Sequence, residues 1–142
     1  MQLIEILLVE DNPGDISLTK EAFKGAKVAN QIHVVQDGEE ALRYLHKKDQ
    51  YANSKHPDII LLDLNLPKKD GREVLKEIKN DPDLRRIPVV ILTTSKAEED
   101  IIGAYDNHAN CYIRKPVDFQ RFMEIVHQIE SFWLSIVKLP PQ

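Results

Sequence analysis

The sequence predicts an α/β protein built on a doubly wound, five-stranded parallel sheet. Short apolar runs rich in Ile, Leu and Val alternate five times with segments whose apolar residues recur every three or four positions. The run at 59–62 is continuously apolar, which is typical of a strand covered on both faces. Strands and helices that alternate in this way form a parallel sheet with helices on both sides, a three-layer sandwich.

The five strands are predicted from apolar runs that end at polar or turn-forming residues. A polar segment at 47–57 is predicted to be a long loop before the third strand. The predicted strands are 3–9, 32–35, 59–62, 88–93 and 111–114.

The helices between these strands are predicted from residues that cap a first turn. Asn12 precedes a proline at the first helical position, Asp37 precedes an acid pair, and Ser95 opens a capping box. Asp70 begins the helix after the third strand. The predicted inward faces are Ile16, Thr19 and Phe23, then Ala41, Leu42 and Leu45, then Val74, Leu75 and Ile78, and then Ile101, Ile102 and Tyr105.

Length and composition predict one domain spanning 1–142. The chain is 42% hydrophobic and 30% charged, its apolar runs are far shorter than a membrane span, and its start lacks the pattern of a secretory signal. We therefore expect a cytoplasmic protein without a membrane partner. A net charge of −4 and the lack of a basic stripe argue against nucleic acid. The lone Cys111 is interpreted as a small core residue.

Charged and polar side chains end four of the five predicted strands. Glu10 and Asp11 follow the first, Asp63 the third, Thr93 the fourth and Lys115 the fifth. Because the carboxyl ends of parallel strands meet at one edge of the sheet, we expect these groups to lie together. Three carboxylates this close would repel one another, which implies a divalent cation. Oxygen ligands with room for water suit Mg²⁺ or Mn²⁺.

A carboxylate at such a site can attack a phosphoryl group and form an acyl phosphate. The charge on the phosphoryl oxygens would be neutralised by the metal, the Lys115 ammonium and the Thr93 hydroxyl. Each feature alone has an ordinary structural explanation, as a helix start, a loop hydroxyl or a turn. Their joint occurrence at the ends of the appropriate strands favours the phosphoryl-accepting interpretation.

The sequence resembles the receiver domains of two-component response regulators over nearly its whole length. The resemblance implies a flavodoxin-like (βα)5 fold with the strand order 2-1-3-4-5. It is carried by Glu10 and Asp11, Asp63 with Pro67 behind it, Asp70 and Gly71, Thr93, and Lys115 with Pro116.

By this resemblance Asp63 is the phosphate acceptor, phosphorylated by a histidine kinase. Asp11 and Asp63 bind Mg²⁺ directly, Glu10 binds it mainly through water, and Asn65 binds it through its backbone carbonyl. These roles make the chain a phosphoacceptor signalling protein that assists its own phosphorylation and dephosphorylation, rather than an enzyme with an external substrate.

The resemblance also implies a switch. Lys115 pairs with the phosphoryl group, and the bond between Lys115 and Pro116 is cis. The hydroxyl of Thr93 moves toward the phosphoryl group and couples to the rotamer of Tyr112. The position after the hydroxyl is usually small and is Thr94 here, which leaves the dephosphorylation rate open.

A narrower likeness, to the response regulators that partner cyanobacterial phytochromes, lies in the runs 65–75, 109–118 and 132–140. It implies a phytochrome kinase as the phosphate donor.

The last helix is predicted from about 118 to 137, and its apolar residues occupy more than one face. Residues outside the main stripe favour a symmetric homodimer that uses 119–142, while a tail folded back on its own domain remains an alternative. The main stripe is Phe119, Phe122, Val126, Ile129, Trp133 and Ile136, and the predicted dimer contacts are Phe122, Ile125, Phe132 and Trp133.

Two other functions remain open from the residues. A phosphatase of the dehalogenase-like superfamily also uses an Asp nucleophile after a buried strand, but it needs a second acid where this chain has Asn65. A receiver-like scaffold that is never phosphorylated is the other alternative. A flavin or nucleotide binder is disfavoured because no Gly-rich loop follows the first strand.

Overall fold

Five parallel strands form the central sheet of the computed structural model, in the spatial order β2-β1-β3-β4-β5. This order and the parallel pairing confirm the predicted fold class. The structure describes residues 3–26, 29–93 and 111–114 and the positions 120, 123, 124, 126–128 and 131, with backbone alone at 93 and 111–114. The strands are β1 (Ile4–Val9), β2 (Asn30–Val35), β3 (Ile59–Asp63), β4 (Val89–Thr93) and β5 (Cys111–Arg114).

Three helices lie between the strands where their capping residues predict them. They are α1 (Pro13–Lys24), α2 (Gly38–Leu45) and α3 (Gly71–Asn80). The helix predicted from Ser95 lies outside the described residues, whereas the described positions between 120 and 131 are helical. At each of the three helices the predicted cap accepts a backbone N–H of the first turn: Asn12 from Asp15, Asp37 from Glu40, and Asp70 from Arg72.

Helices cover both faces of the sheet, so that successive strand residues enter two separate cores. In β1, Leu7 and Val9 pack with α2 and α3, whereas Ile6 and Leu8 pack with α1 and with Val126 of the last helix. This two-sided burial explains why the central strands read as continuous apolar runs. Among the described residues, no helix is long and apolar enough to cross a bilayer.

The strand register brings the carboxyl ends of β1, β3 and β4 together. Val9 at the end of β1 lies beside Leu62 of β3, and Asp63 lies beside Leu92 of β4. The residues that immediately follow β1 and end β3 therefore emerge at the same edge.

The predicted loop at 47–57 contains a short 3-10 helix, η1 (Asp49–Tyr51), that is tied back to α2. The hydroxyl of Tyr51 donates to Oε2 of Glu40 over 2.6 Å, and the Tyr51 and Tyr44 rings lie 5.0 Å apart. Burial, the hydrogen bond to Glu40 and the charge of Glu40 together raise the pKa of Tyr51 to about 12. An otherwise polar connection is thus fixed by one aromatic side chain.

Replacing Tyr51 by Phe should lower the free energy of unfolding by about 1 kcal/mol at neutral pH, because a hydrogen bond to a carboxylate is lost. The raised pKa means that the folded chain holds the phenolic proton more tightly than the unfolded chain. This contribution is present below pH 10 and is lost as the pH rises toward 12. Urea unfolding should therefore show the gap between wild type and Tyr51→Phe closing over that range. A gap that is constant with pH would contradict the assigned hydrogen bond.

Candidate functional site

Three carboxylates converge at the carboxyl edge of the sheet. Glu10 and Asp11 follow β1, and Asp63 is the last residue of β3. Each side chain offers an oxygen that lies within 4.8 Å of the oxygens offered by the other two. The structure therefore brings together the three acids that the sequence predicts as metal ligands.

The three acids differ sharply in their exposure to solvent. Glu10 is 1% exposed and Asp63 is 5% exposed, whereas Asp11 is exposed. Two carboxyl groups are thus held in a largely buried position with a third beside them at the surface. The arrangement fits a hard divalent cation, because an all-oxygen donor set with one open side suits Mg²⁺ or Mn²⁺ and relieves the repulsion between the acids.

Backbone N–H groups orient the two buried carboxylates. The amide of Asn12 donates to Oε2 of Glu10 over 3.3 Å, and the amide of Asn65 donates to Oδ1 of Asp63 over 3.0 Å. Helix α1 begins at Pro13, two residues after Asp11, so the positive end of its dipole lies near the acids. The two backbone N–H donors and the start of α1 therefore both favour negative charge at this edge.

The loop from β3 to α3 is held against the end of its own strand by Gly71. The amide of Gly71 donates to the carbonyl of Leu64 over 2.9 Å. A Cβ at Gly71 would lie 2.4 Å from the carbonyl oxygen of Asp63, closer than real Cβ contacts allow. Asn65, whose carbonyl is a predicted metal ligand, lies in this loop and has an exposed side chain.

The remaining predicted site residues are described in part or not at all. Thr93 ends β4 and pairs with Arg114 of β5, and Tyr112 pairs with Ile91, so both strands run to the same edge as Asp63. The side chains of Thr93 and Tyr112 are outside the description, as are Lys115 and the predicted cis bond at Pro116. The predicted dimer contacts, Phe122, Ile125, Phe132 and Trp133, also lie outside the described residues.

Two glycines contribute to the site although no sequence pattern predicts their contacts. Gly71 contacts the backbone of Asp63, and Gly38 at the start of α2 contacts the backbone of Lys69 in the β3–α3 loop. Both have negative φ angles, so close approach and not an unusual backbone conformation requires glycine. The one feature of the sequence that could have indicated these contacts is that each glycine directly follows a capping aspartate. A glycine at that position is equally well explained by the start of a helix.

Comparison with known proteins identifies a family match over most of the chain. Residues 6–127 match the response regulator receiver domain. The response regulator Rcp1 of Synechocystis sp. is 50% identical over 135 residues, which cover 95% of this chain and 92% of Rcp1.

Two solved structures have the same fold at high sequence identity. The phosphorylated cyanobacterial phytochrome response regulator RcpA is 54% identical, with a TM-score of 0.88 and coverage of 99% of this chain and 100% of that chain. The Mn²⁺-bound form of Rcp1 is 49% identical, with a TM-score of 0.86 and coverage of 97% of this chain and 99% of that chain.

Proposed function

Because this chain belongs to the response regulator receiver domains of two-component signalling, we propose that it accepts one phosphoryl group on Asp63 in a Mg²⁺-dependent reaction. The observation that carries this proposal is the convergence of Glu10, Asp11 and Asp63 within 4.8 Å, with Asp63 buried at the end of a central strand. The phosphorylated form of RcpA and the Mn²⁺-bound form of Rcp1 support the same chemistry.

In the proposed transfer, a carboxylate oxygen of Asp63 attacks the phosphorus of a phosphohistidine. The P–N bond breaks as the new P–O bond forms, and the imidazole leaves with the bonding electron pair and is then protonated. The amide of Asn65 holds Oδ1 of Asp63 and so orients the attacking group. Asp11, Asp63 and the carbonyl of Asn65 would hold a Mg²⁺ directly and Glu10 mainly through water, and the ion would supply neutralising charge for the phosphoryl oxygens.

The conformational response is proposed to use Thr93, Lys115 and Tyr112. Thr93 ends the strand next to β3, which supports a hydroxyl close to a phosphoryl group on Asp63. Lys115, joined to Pro116 by a cis bond, is proposed to pair with that phosphoryl group, and Tyr112 is proposed to change rotamer with the state of Thr93.

The proposed donor is a histidine kinase of the phytochrome type, and the proposed location is the cytoplasm. The similarity to RcpA, a cyanobacterial phytochrome response regulator, supports the donor class. With a single phosphoryl acceptor, the chain is proposed to act as a signalling protein that assists its own phosphorylation and dephosphorylation, and not as a phosphatase that turns over small esters. Phosphotransfer from a panel of purified histidine kinases would identify the donor, and preferential transfer from a phytochrome kinase is the expected result.

Labelling with a small phosphodonor tests the central proposal. Acetyl phosphate with Mg²⁺ should add one phosphoryl group per chain, the product should be labile to hydroxylamine as an acyl phosphate is, and EDTA should prevent its formation. Sustained hydrolysis of small phosphate esters would instead favour the dehalogenase-like alternative. A chain that binds Mg²⁺ but takes up no label from either acetyl phosphate or a kinase would be a receiver-like scaffold.

We also propose that the chain is a single domain over 1–142 whose segment 119–142 mediates a homodimer. Val126 is buried against residues of β1, β3 and β4, which supports a last helix that packs one of its faces against its own sheet. The apolar residues that the sequence places on other faces then remain for a partner. Sedimentation should show a dimer at micromolar concentration, and a monomer both with and without phosphorylation would exclude it.

A further inference from the structure

The start of α2 abuts the β3–α3 loop more closely than any side chain would allow. A Cβ on Gly38 would lie 2.1 Å from the carbonyl oxygen and 2.8 Å from the carbonyl carbon of Lys69. These are backbone atoms, so they cannot move away as the end of a flexible side chain can. Any residue larger than glycine must therefore displace either the loop or the helix start.

Polar contacts join the same two segments. The amide of Gly38 donates to the carbonyl of Pro67 over 3.4 Å, and the Nζ of Lys68 lies 3.7 Å from Oδ2 of Asp37. Asp37 is also the cap of α2, since its Oδ1 accepts from the amide of Glu40 over 2.7 Å. The loop is thus connected to the first turn of α2 by packing, by a hydrogen bond and by charge.

The loop is anchored at its start, where Leu64 is fully buried and Leu66 packs against the core, whereas its middle is exposed. Asn65, Pro67 and Lys68 are all exposed, and Lys68 has a left-handed φ of 67°, which is strained for a residue other than glycine. Lys69 is held to α3 by an ion pair with Glu77 at 2.9 Å. The contacts of Lys69 with α2 and α3 therefore help to fix the path of the exposed part of the loop.

We propose that Gly38 is a positioning residue for the phosphorylation site, acting through Lys69 and the β3–α3 loop on the Asn65 carbonyl and the Asp63 carboxylate. The loop begins at Asp63, and the amide of Asn65 donates to the Asp63 carboxylate. Moving Lys69 away from α2 shifts the chain that carries both groups. This inference rests on the proposed function, because it takes the carboxylate cluster to be a Mg²⁺ and phosphoryl site.

The test compares Gly38→Ala with Gly25→Ala in the full chain. Gly25 is the C-cap that follows α1, and a Cβ there would meet its nearest atom, Cε of Met123, at an ordinary 3.6 Å. Gly38→Ala should weaken Mg²⁺ binding, measured by calorimetry, by about tenfold or more. Loss of a contact that orients a metal ligand has an effect of this size. The rate of labelling by acetyl phosphate should fall with it, while Gly25→Ala should change neither quantity.

The readout is the Mg²⁺ affinity of the folded chain, measured well below the unfolding temperature. A loss of stability alone does not change this affinity. Folded Gly38→Ala that binds Mg²⁺ within about twofold of wild type would overturn the inference. If Gly38→Ala does not fold, amide resonances of wild type during a Mg²⁺ titration decide the matter. The Gly38 amide should shift with the same apparent Kd as the Asn65 amide, and an unperturbed Gly38 would exclude coupling.

Failure of this inference is distinguishable from failure of the proposed function. A wild-type chain that binds Mg²⁺ and accepts one phosphoryl group, with Gly38→Ala equal to it, contradicts only the positioning role. A wild-type chain that binds Mg²⁺ through the coupled loop but is never phosphorylated contradicts only the phosphoryl transfer. Absence of Mg²⁺ binding to wild type would remove both.

Discussion

Replacing Asp63 by Asn is expected to abolish phosphoryl labelling of this chain. The carboxamide is nearly isosteric with the carboxylate and keeps an oxygen that accepts from the Asn65 amide, but it lacks the negatively charged nucleophilic oxygen. Labelling by acetyl phosphate or by a kinase should therefore fall to background while the fold is retained. Quantitative mass spectrometry of the intact chain measures this directly.

Asp58→Asn is the matched control for that experiment. Asp58 precedes the same strand, and its Oδ2 accepts from the amide of Glu5 over 2.8 Å. Burial and the charge of Glu5 raise the pKa of Asp58, although its hydrogen bond to the Glu5 backbone acts in the opposite sense. Since an amide oxygen can replace this acceptor, Asp58→Asn should be labelled like wild type. Persistent labelling of Asp63→Asn would show that another residue is the acceptor.

Replacing Asp11 by Asn is expected to have opposite effects on stability in the absence and presence of Mg²⁺. Without metal, removing one of three converging negative charges should raise the free energy of unfolding by at most about 1 kcal/mol, because solvent screens the charge of the exposed Asp11. In wild type, Mg²⁺ at about a hundredfold above its Kd should add about 2.7 kcal/mol. Asp11→Asn should lose most of this increment, because a direct ligand is missing.

Urea unfolding with and without Mg²⁺ measures both effects, and Asp83→Asn provides the control. Asp83 is exposed after α3 and lies near Pro88, at the edge of the sheet where β4 begins and opposite the three acids. Its removal should therefore leave the metal-induced increment intact. If Asp11→Asn kept the full Mg²⁺ increment, the three acids would not be the metal site. A loss of stability without metal would mean that the acids do not repel one another as proposed.

The strands and the first three helices could be predicted because their signals are local. Asn12, Asp37 and Asp70 each cap the predicted helix, and the buried residues of α2 and α3 include all of those predicted to face inward. The prediction was less complete where tertiary contacts decide the outcome. Strand β2 begins at Asn30 instead of 32, because parallel pairing with Ile4 and Glu5 of β1 extends it beyond its apolar run.

The segment at 47–57 could not be predicted in detail for the same reason. Its residues are mostly polar and carry no periodic pattern, yet Asp49–Tyr51 forms a 3-10 helix. The fixing contact is the Tyr51 hydroxyl on Glu40, which lies eleven residues away on another element. A single long-range hydrogen bond of this kind leaves no signal in local composition.

The sequence by itself determined the order of strands and helices and the identity of the acids at their ends, because hydrophobic periodicity, helix caps and the end of an apolar run are properties of neighbouring residues. Only the tertiary structure decided that Glu10 and Asp63 are buried beside an exposed Asp11, and that Gly38 touches Lys69. Burial and close backbone approach depend on how separate elements pack. The burial of Asp63 and the contact that fixes its loop could therefore not be predicted from the sequence.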